Sequence, residues 1–146
     1  MNIIFVCTGN TCRSPMAEAI AKDIFEKNNI DANVISRGLS VYAPSPASEN
    51  ARLAMEKMGL SLDGFVSTPL SLEDIEEADA IITMTKAHKE ALEDICRRYG
   101  KELYTLGELA GTDEDVTDPF GGSEERYEAC ADQLKEYIEK LAEKLV

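Results

Sequence analysis

The sequence predicts an α/β fold: a three-layer sandwich with a central four-stranded parallel twisted sheet and helices on both faces. Short, continuous apolar runs recur along the chain, as is typical of strands that are buried on both faces. Segments with apolar residues at helical spacing lie between these runs. Strands that alternate with helices are joined by right-handed crossovers, which produce a parallel sheet with both faces covered.

Four apolar runs are the expected strands. They cover residues Ile3–Val6, 33–36, Ala80–Met84 and Leu103–Leu106. Gly38 closes the second strand, and Pro44 and Pro46 mark the loop that follows it. In sheets of this kind ligands bind at the carboxyl ends of the strands, near the point where the strand order reverses. The loop after the first strand is therefore the expected binding site.

Helical spacing of apolar residues, with matching start and stop signals, predicts the helices. Ser14 suits the N-cap and Pro15 the first position of the first helix. Gly59 and Gly100 are expected to stop two later helices. The remaining helical segments are 47–58, 71–77, Ala87–Tyr99 and a terminal helix after the loop Gly111–Ser123. The terminal helix presents one apolar face, formed by Tyr127, Cys130, Leu134, Ile138, Leu141 and Leu145.

Acidic residues dominate the charge of the chain. Asp and Glu number 28 against 15 Lys and Arg, which gives a net charge of −13 over 146 residues. This charge repels nucleic acid and anionic membranes and favours cationic protein partners. No run approaches the roughly 20 apolar residues needed to span a bilayer, and Met1–Ile4 lacks the basic start of a signal peptide. We therefore expect a single domain over residues 1–146, cytoplasmic and monomeric.

The cysteines are few and scattered, so they do not form a disulfide framework. In a reducing compartment Cys7, Cys12, Cys96 and Cys130 are expected to be thiols. No Cys-x-x-Cys pair exists and the one histidine is His88, so neither a zinc site nor any other metal or cofactor is expected. We interpret His88, near the start of a helix, as a surface residue. Cys96 and Cys130 fall on apolar helical faces and are expected in the core.

The stretch VCTGNTCRSP, residues 6–15, joins the first strand to the first helix. Gly9 and Asn10 tolerate left-handed backbone conformations, so successive N–H groups of this turn can converge on an anion. The helix N-terminus adds its partial positive charge, and Arg13 can bind two oxygens with parallel hydrogen bonds. These features predict a site for a tetrahedral dianion such as phosphate. Its expected ligands are Thr8, Gly9, Asn10, Thr11, Cys12 and Arg13.

Cys7 lies at the start of the same loop. A helix N-terminus and a cation favour the thiolate form of a cysteine, which is its nucleophilic form. A thiolate beneath a bound phosphate predicts attack on phosphorus and a phosphocysteine intermediate. A lone cysteine is more often a small packing residue, but Cys-x5-Arg-Ser between a strand and a helix is a specific combination. The glycine patterns of nucleotide-binding loops are absent.

The segment CTGNTCRSP resembles the signature of the low molecular weight protein tyrosine phosphatases. The resemblance extends over essentially the whole chain, including SPMAEAI in the first helix, SRG in the second strand, the late acidic loop and the terminal helix. It implies that Asn10 and Ser14 hold the turn and hydrogen-bond the nucleophile, and that Ser36 braces Asn10. Family members often have a bracing histidine after the second main helix, where SLDGFVSTP has none. We therefore expect the loop to be braced differently or to be looser.

A phosphatase also needs an acid that protonates the leaving group. The segment DVTDPFGGS, residues 115–123, places Asp118 before Pro119, which stiffens the turn. The resemblance assigns the general acid to an Asp-Pro pair in this loop, which Asp118 matches. The alternatives are a plain acidic surface loop and a cation site, although the spacing does not match a calcium loop.

Residues at the rim of the site are expected to determine which phosphorylated side chain is the substrate. Relatives that act on phosphotyrosine commonly show two adjacent aromatic residues after the Asp-Pro pair, whereas Phe120 stands alone here. The chain resembles the bacterial protein-arginine phosphatases in having a threonine, Thr11, at the other rim position. Many tyrosine-specific relatives have a larger aliphatic residue at that position. A smaller, polar wall slightly favours phosphoarginine over phosphotyrosine in phosphorylated protein substrates. Asp118 would then bind the guanidinium as well as protonate its nitrogen.

The resemblance also implies a redox property of the loop. Oxidation would join Cys7 and Cys12 reversibly and shield the nucleophile from over-oxidation. The competing interpretation of Cys12 is a plain packing residue.

Thioredoxin-coupled arsenate reductases are the main alternative, since they share this fold and a similar Cys-x5-Arg loop. They need two further cysteines close together after the third strand. Residues 83–95 contain none, although Cys96 follows directly.

Two other classes account for less of the sequence. A phosphate-binding module without turnover would explain Arg13 and the anion-binding turn, but not Cys7 together with Asp118. A cysteine protease or acyl transferase would need His88 as its base, and no oxyanion partner is evident.

Overall fold

A computed structural model describes all residues, Met1–Val146. Four parallel strands form one sheet in the order β2-β1-β3-β4. The strands are β1 (Asn2–Cys7), β2 (Asn33–Gly38), β3 (Ala80–Thr83) and β4 (Glu102–Thr105). The helices are α1 (Arg13–Lys27), α2 (Glu49–Lys57), α3 (Leu72–Glu77), α4 (Lys86–Arg98), α5 (Leu106–Leu109) and α6 (Glu124–Leu145). The predicted α/β sandwich with a four-stranded parallel sheet is confirmed.

Strand β1 occupies the position at which the strand order reverses. It pairs with β2 on one side, where Cys7 is opposite Gly38, and with β3 on the other, where Val6 is opposite Thr83. The chain runs from β1 to β2 on one side and then crosses β1 to reach β3 on the other side. The loop after Cys7 opens at this switch point, which is where ligands bind in sheets of this kind.

Both faces of the sheet are covered by helices. Side chains alternate along a strand, so Ile3 and Phe5 face one side of β1 while Ile4 and Val6 face the other. The first pair belongs to a core of 29 buried residues that includes parts of α1, α2, α5 and α6. The second pair belongs to a smaller core of 7 buried residues that includes Ile75 of α3 and residues of α4. The sheet therefore lies between two layers of helices, with one core on each of its faces.

The start of α1 differs from the expectation. The helix begins at Arg13, and its N-cap residue Cys12 makes no side-chain capping hydrogen bond. The prediction that Ser14 is the N-cap is wrong, because the Ser14 hydroxyl bonds to the Cys7 sulfur instead. The other N-cap residues do accept a backbone N–H; they are Ser48, Ser71, Thr85, Thr105 and Ser123.

Helix α5 is absent from the predicted elements. Leu106, expected to end the fourth strand, is the first residue of this helix. Four residues are too few to show helical periodicity, so the apolar run reads as one longer strand.

No helix combines the length and apolar composition that crossing a bilayer would require. No group of three or more His, Cys, Asp or Glu side chains is placed to hold a metal ion.

Gly38 is packed against the loop that follows β1, and this contact allows a test of the fold around the site. A Cβ on Gly38 would lie 2.5 Å from Val41 Cγ2, 2.8 Å from Thr8 O and 3.0 Å from Asn10 Cβ. We expect Gly38→Ala to lower the free energy of unfolding by about 1–3 kcal/mol, because the loop must shift to admit the methyl group. The same shift should weaken the binding of tungstate, a phosphate analogue. Urea denaturation and calorimetric titration measure the two effects.

Gly59→Ala is the control for that variant. A Cβ there meets nothing within 4 Å, so its cost comes only from the backbone φ of 78°. Gly59→Ala should leave tungstate affinity unchanged. Unchanged tungstate affinity in Gly38→Ala would show that the loop does not depend on this contact.

Candidate active site

The turn between β1 and α1, residues 8–12, is called the phosphate loop below. Asn10 has a left-handed backbone with φ of 57°, and its side chain is fully buried. This conformation folds the loop around the thiol of Cys7, at the end of β1. The Asn10 N–H donates to Cys7 Sγ at 3.3 Å, and Ser14 Oγ lies 2.8 Å from the same sulfur. The candidate nucleophile is therefore in contact with one backbone donor and one hydroxyl group.

The side chain of Asn10 organises the loop. Its Oδ1 accepts the backbone N–H of Thr68 at 2.9 Å, which fixes the orientation of the amide because a backbone N–H can only donate. Its Nδ2 then donates to Ser14 Oγ at 2.8 Å and to Ser36 Oγ at 3.0 Å. Thr68 lies in SLDGFVSTP, the segment that lacks the expected histidine. A backbone amide therefore braces the loop in its place.

The two hydroxyl groups that accept from Asn10 can each donate a hydrogen bond to a further group. Ser36 Oγ donates to Glu18 Oε1 at 2.9 Å. Ser14 is left free to donate to Cys7 Sγ, and a hydroxyl that donates to sulfur stabilises the thiolate relative to the thiol. The hydrogen bonds thus run from one central amide to two acceptors, a sulfur and a carboxylate.

Arg13 connects the phosphate loop to the late acidic loop. Its side chain is buried, and Nη1 donates to Val116 O at 3.1 Å. Nη2 lies 3.6 Å from Asp118 Oδ2. Asp118 is half exposed and accepts the N–H of Phe120 at 3.0 Å, which holds the carboxylate over the turn. The guanidinium and this carboxylate therefore face the same space.

The rest of the acidic loop has structural partners. Val116 N–H donates to Met84 O at 2.9 Å, next to β3. Asp115 Oδ1 accepts the N–H of Lys86 at 2.9 Å, at the start of α4, and Asp113 pairs with the Lys86 ammonium at 2.9 Å. These contacts anchor the loop and leave Asp118 as the carboxylate that faces the cavity.

Most of the predicted site residues line a cavity of about 270 Å³. Cys7 is almost fully buried in it, whereas Phe120 at its edge is 75% exposed. Ser14 and Ser36 do not line the cavity, because they lie in the layer that supports the loop. The lining residues are Cys7, Thr8, Gly9, Asn10, Thr11, Cys12, Arg13, Asp118 and Phe120.

Cys12 makes contacts on the side of α6. Its Sγ lies 3.2 Å from Tyr127 Oη and donates to Ser48 Oγ at 3.6 Å. Burial, and then the hydrogen bond to Cys12, raises the pKa of Tyr127 to about 12, so the phenol stays protonated. All four cysteines of the chain are free thiols. The disulfide between Cys7 and Cys12 remains a prediction.

The interpretation of His88 as a surface residue is wrong. Its side chain is 8% exposed, and Nε2 lies 2.9 Å from Thr8 Oγ1. Burial, followed by the charge of Arg13, lowers the pKa of His88 to about 4. The spacing of His88, Leu92 and Cys96, four residues apart on the buried face of α4, was a signal for this placement.

The arrangement of cysteines does not support an arsenate reductase. Cys96 is buried in α4 and Cys130 in α6, so no close pair of thiols follows β3. Burial raises the pKa of both thiols, that of Cys130 to about 12. Two separate, protonated core thiols cannot form the relay that such a reductase needs.

Known proteins are similar to this chain in sequence and in fold. The chain is 42% identical over 146 residues to a protein-arginine-phosphatase of Bacillus subtilis, covering 99% of this chain and 97% of that protein. It is 36% identical over 143 residues to the low molecular weight protein-tyrosine-phosphatase PtpB of Staphylococcus epidermidis, covering 97% and 96%. A solved structure of YwlE arginine phosphatase, a C7S mutant with a phosphorylated active site serine, matches with a TM-score of 0.93 at 42% identity, covering 99% and 95%.

The family model of the low molecular weight phosphotyrosine protein phosphatases matches residues 2–146. The match spans the sheet, the phosphate loop, the acidic loop and the terminal helix. The chain therefore belongs to the low molecular weight phosphotyrosine protein phosphatase family.

Proposed function

We propose that this protein hydrolyses phosphorylated protein side chains through a phosphocysteine intermediate, with phosphoarginine slightly favoured over phosphotyrosine. The observation that carries the proposal is the convergence of Cys7, Arg13 and Asp118 on one cavity. A nucleophile, a cation that binds oxygens and a carboxyl group are the three groups that the reaction needs.

The first step transfers the phosphoryl group to sulfur. The phosphate loop and Arg13 bind the phosphoryl oxygens and place phosphorus next to Cys7 Sγ. The sulfur forms a bond to phosphorus while the bond to the leaving oxygen or nitrogen breaks. Asp118 gives its proton to the leaving atom, which departs as a neutral group.

The second step releases phosphate. Asp118, now a carboxylate, takes a proton from a water molecule while that water attacks phosphorus. The bond between phosphorus and sulfur breaks and Cys7 leaves as a thiolate. Ser14 and the N–H of Asn10 stabilise this thiolate, because both are placed to donate to the sulfur.

The preference for phosphoarginine rests on the rim. Thr11 forms a small polar wall, and Phe120, three-quarters exposed, is the one aromatic ring that lines the cavity. The protonated carboxyl group of Asp118 can accept a hydrogen bond from the guanidinium through one oxygen and give the proton on its other oxygen to the leaving nitrogen. The relative from Bacillus subtilis is a protein-arginine-phosphatase and that from Staphylococcus epidermidis a protein-tyrosine-phosphatase. The two relatives therefore do not identify one substrate, and we infer the preference from the rim residues.

The remaining parts of the proposal concern context. Residues 1–146 would act as one phosphatase domain, a cytoplasmic monomer that needs no cofactor. A net charge of −13 opposes nucleic acid and anionic membranes as partners and suits arginine-rich client proteins.

Replacement of the nucleophile tests the covalent step. Cys7→Ser should lower kcat for a phosphoarginine peptide by at least about 10³-fold, because serine is a poor nucleophile without a base. Tungstate should still bind, as measured by calorimetry. Cys96→Ser, in the core on α4, is the control and should keep its activity; an active Cys7→Ser variant would refute the covalent route.

Replacement of the acid tests protonation of the leaving group. Asp118→Asn should slow hydrolysis of a phosphoarginine peptide by about 10²–10⁴-fold. It should slow p-nitrophenyl phosphate much less, because nitrophenolate leaves without a proton. Asp113→Asn, exposed in the same loop, controls for the loss of a charge. Equal losses on both substrates would exclude the acid role.

The rim is tested by competition between substrates. Thr11→Ile should shift the ratio of kcat/KM for phosphotyrosine and phosphoarginine peptides at least about tenfold toward phosphotyrosine. Thr112→Ile, outside the cavity, should leave the ratio unchanged. If the ratio stays constant in Thr11→Ile, this residue does not select the substrate.

A further inference from the structure

His88 is the one histidine of the chain, and the mechanism proposed above does not use it. Its Nε2 lies 2.9 Å from Oγ1 of Thr8, the residue that follows the nucleophile and lines the cavity. This is the one side-chain hydrogen bond between the phosphate loop and α4. A buried ring that hydrogen-bonds the first residue of the loop can hold the loop in one conformation.

The partners of the ring indicate where its proton lies. Nδ1 is buried and has no hydrogen-bond partner. Unpartnered buried N–H groups are rarer than unpartnered acceptors, so Nδ1 carries the lone pair and Nε2 carries the proton. His88 therefore donates to Thr8 Oγ1.

Burial, together with the charge of Arg13, keeps the ring neutral at pH 7. Burial and the guanidinium of Arg13 oppose its protonation, and Asp115 and Asp118 favour it; the resulting pKa is about 4. A neutral donor can hold Thr8 without repelling the Arg13 guanidinium, which has to bind phosphate. A lysine at this position would place a second cation beside that group.

The contacts of the loop are shared between its two neighbouring strands. Asn10 is held from the side of β2, by Ser36 and by the N–H of Thr68. Thr8 is held from the side of β3, because His88 lies in the first turn of α4, where its N–H donates to Thr85 Oγ1 at 3.1 Å. The loop is thus held at its first residue, Thr8, and at its middle residue, Asn10.

We propose that His88 is a positioning residue that holds Thr8, and with it the start of the phosphate loop, in the conformation that binds the phosphoryl group. It acts through Thr8 and does not exchange protons with the substrate. This inference rests on the proposed phosphatase function.

Three variants and their combination test the hydrogen bond. His88→Phe and Thr8→Val each remove it and should each lower kcat for p-nitrophenyl phosphate about tenfold and weaken tungstate binding. The double variant should lose no more than either single one, because both remove the same interaction. His88→Gln should restore most of the activity, since its amide N–H can replace Nε2–H. Leu92→Ala, one turn along the buried face of α4, controls for a less stable helix and should keep kcat.

The spectrum of the wild-type protein gives a second readout that does not depend on any variant folding. With one histidine, its ring ¹⁵N signals need no assignment. They should report a neutral ring with the proton on Nε2 at pH 7, which becomes protonated only near pH 4, and they should move when tungstate binds. A ring that is charged at pH 7, protonated on Nδ1 or indifferent to tungstate would overturn the proposal.

The kinetic outcomes separate this inference from the proposed function. If the wild-type protein hydrolyses phosphopeptides and His88→Phe is equally active, or if the losses in the two single variants multiply, only the positioning role fails. If the wild-type protein hydrolyses none of the substrates, the proposed function itself fails.

Discussion

The amide of Asn10 organises the hydrogen bonds around Cys7, the candidate nucleophile. Because the backbone N–H of Thr68 can only donate, the amide oxygen of Asn10 faces it and both amide hydrogens are donated to serine hydroxyls. The Ser14 hydroxyl, which accepts one of these amide hydrogens, can in turn donate a hydrogen bond to the sulfur of Cys7. An ionised sulfur in a buried site is stable only if donors replace water. The rest of the site depends on this arrangement, since a protonated thiol would not attack phosphorus.

The fold supplies this arrangement by placing β1 at the centre of a parallel sheet. Its neighbours on both sides contribute to the loop that follows it: Ser36 comes from β2, and His88 from the helix after β3. Arg13 joins the loop to the acidic segment through Val116 and brings Asp118 to the cavity. Cys7 and Asp118, far apart in sequence, are therefore brought to one cavity by the phosphate loop and by Arg13, the residue that follows it.

Local patterns predicted the sheet, most helices and the phosphate loop, because apolar runs, helical spacing and Cys-x5-Arg-Ser are all signals of neighbouring residues. The contacts that support the loop were harder to predict because they join distant segments. Thr68 acts through its backbone N–H, which leaves no side-chain signature. Ser14 suits a helix cap in the sequence, but its hydroxyl contacts Cys7 and Asn10 instead. These contacts depend on the left-handed turn at Asn10, which the sequence pattern of a cap does not show. His88 meets a residue 80 positions away.

The most direct test of the account is to trap the covalent intermediate. The protein is mixed with a phosphoarginine peptide, turnover is stopped with acid within milliseconds, and the phosphoryl group is located by mass spectrometry and ³¹P NMR. The account predicts a phosphoryl group on the sulfur of Cys7 that forms and decays at rates consistent with turnover. Release of phosphate without any such intermediate, or a phosphoryl group on another residue, would contradict it.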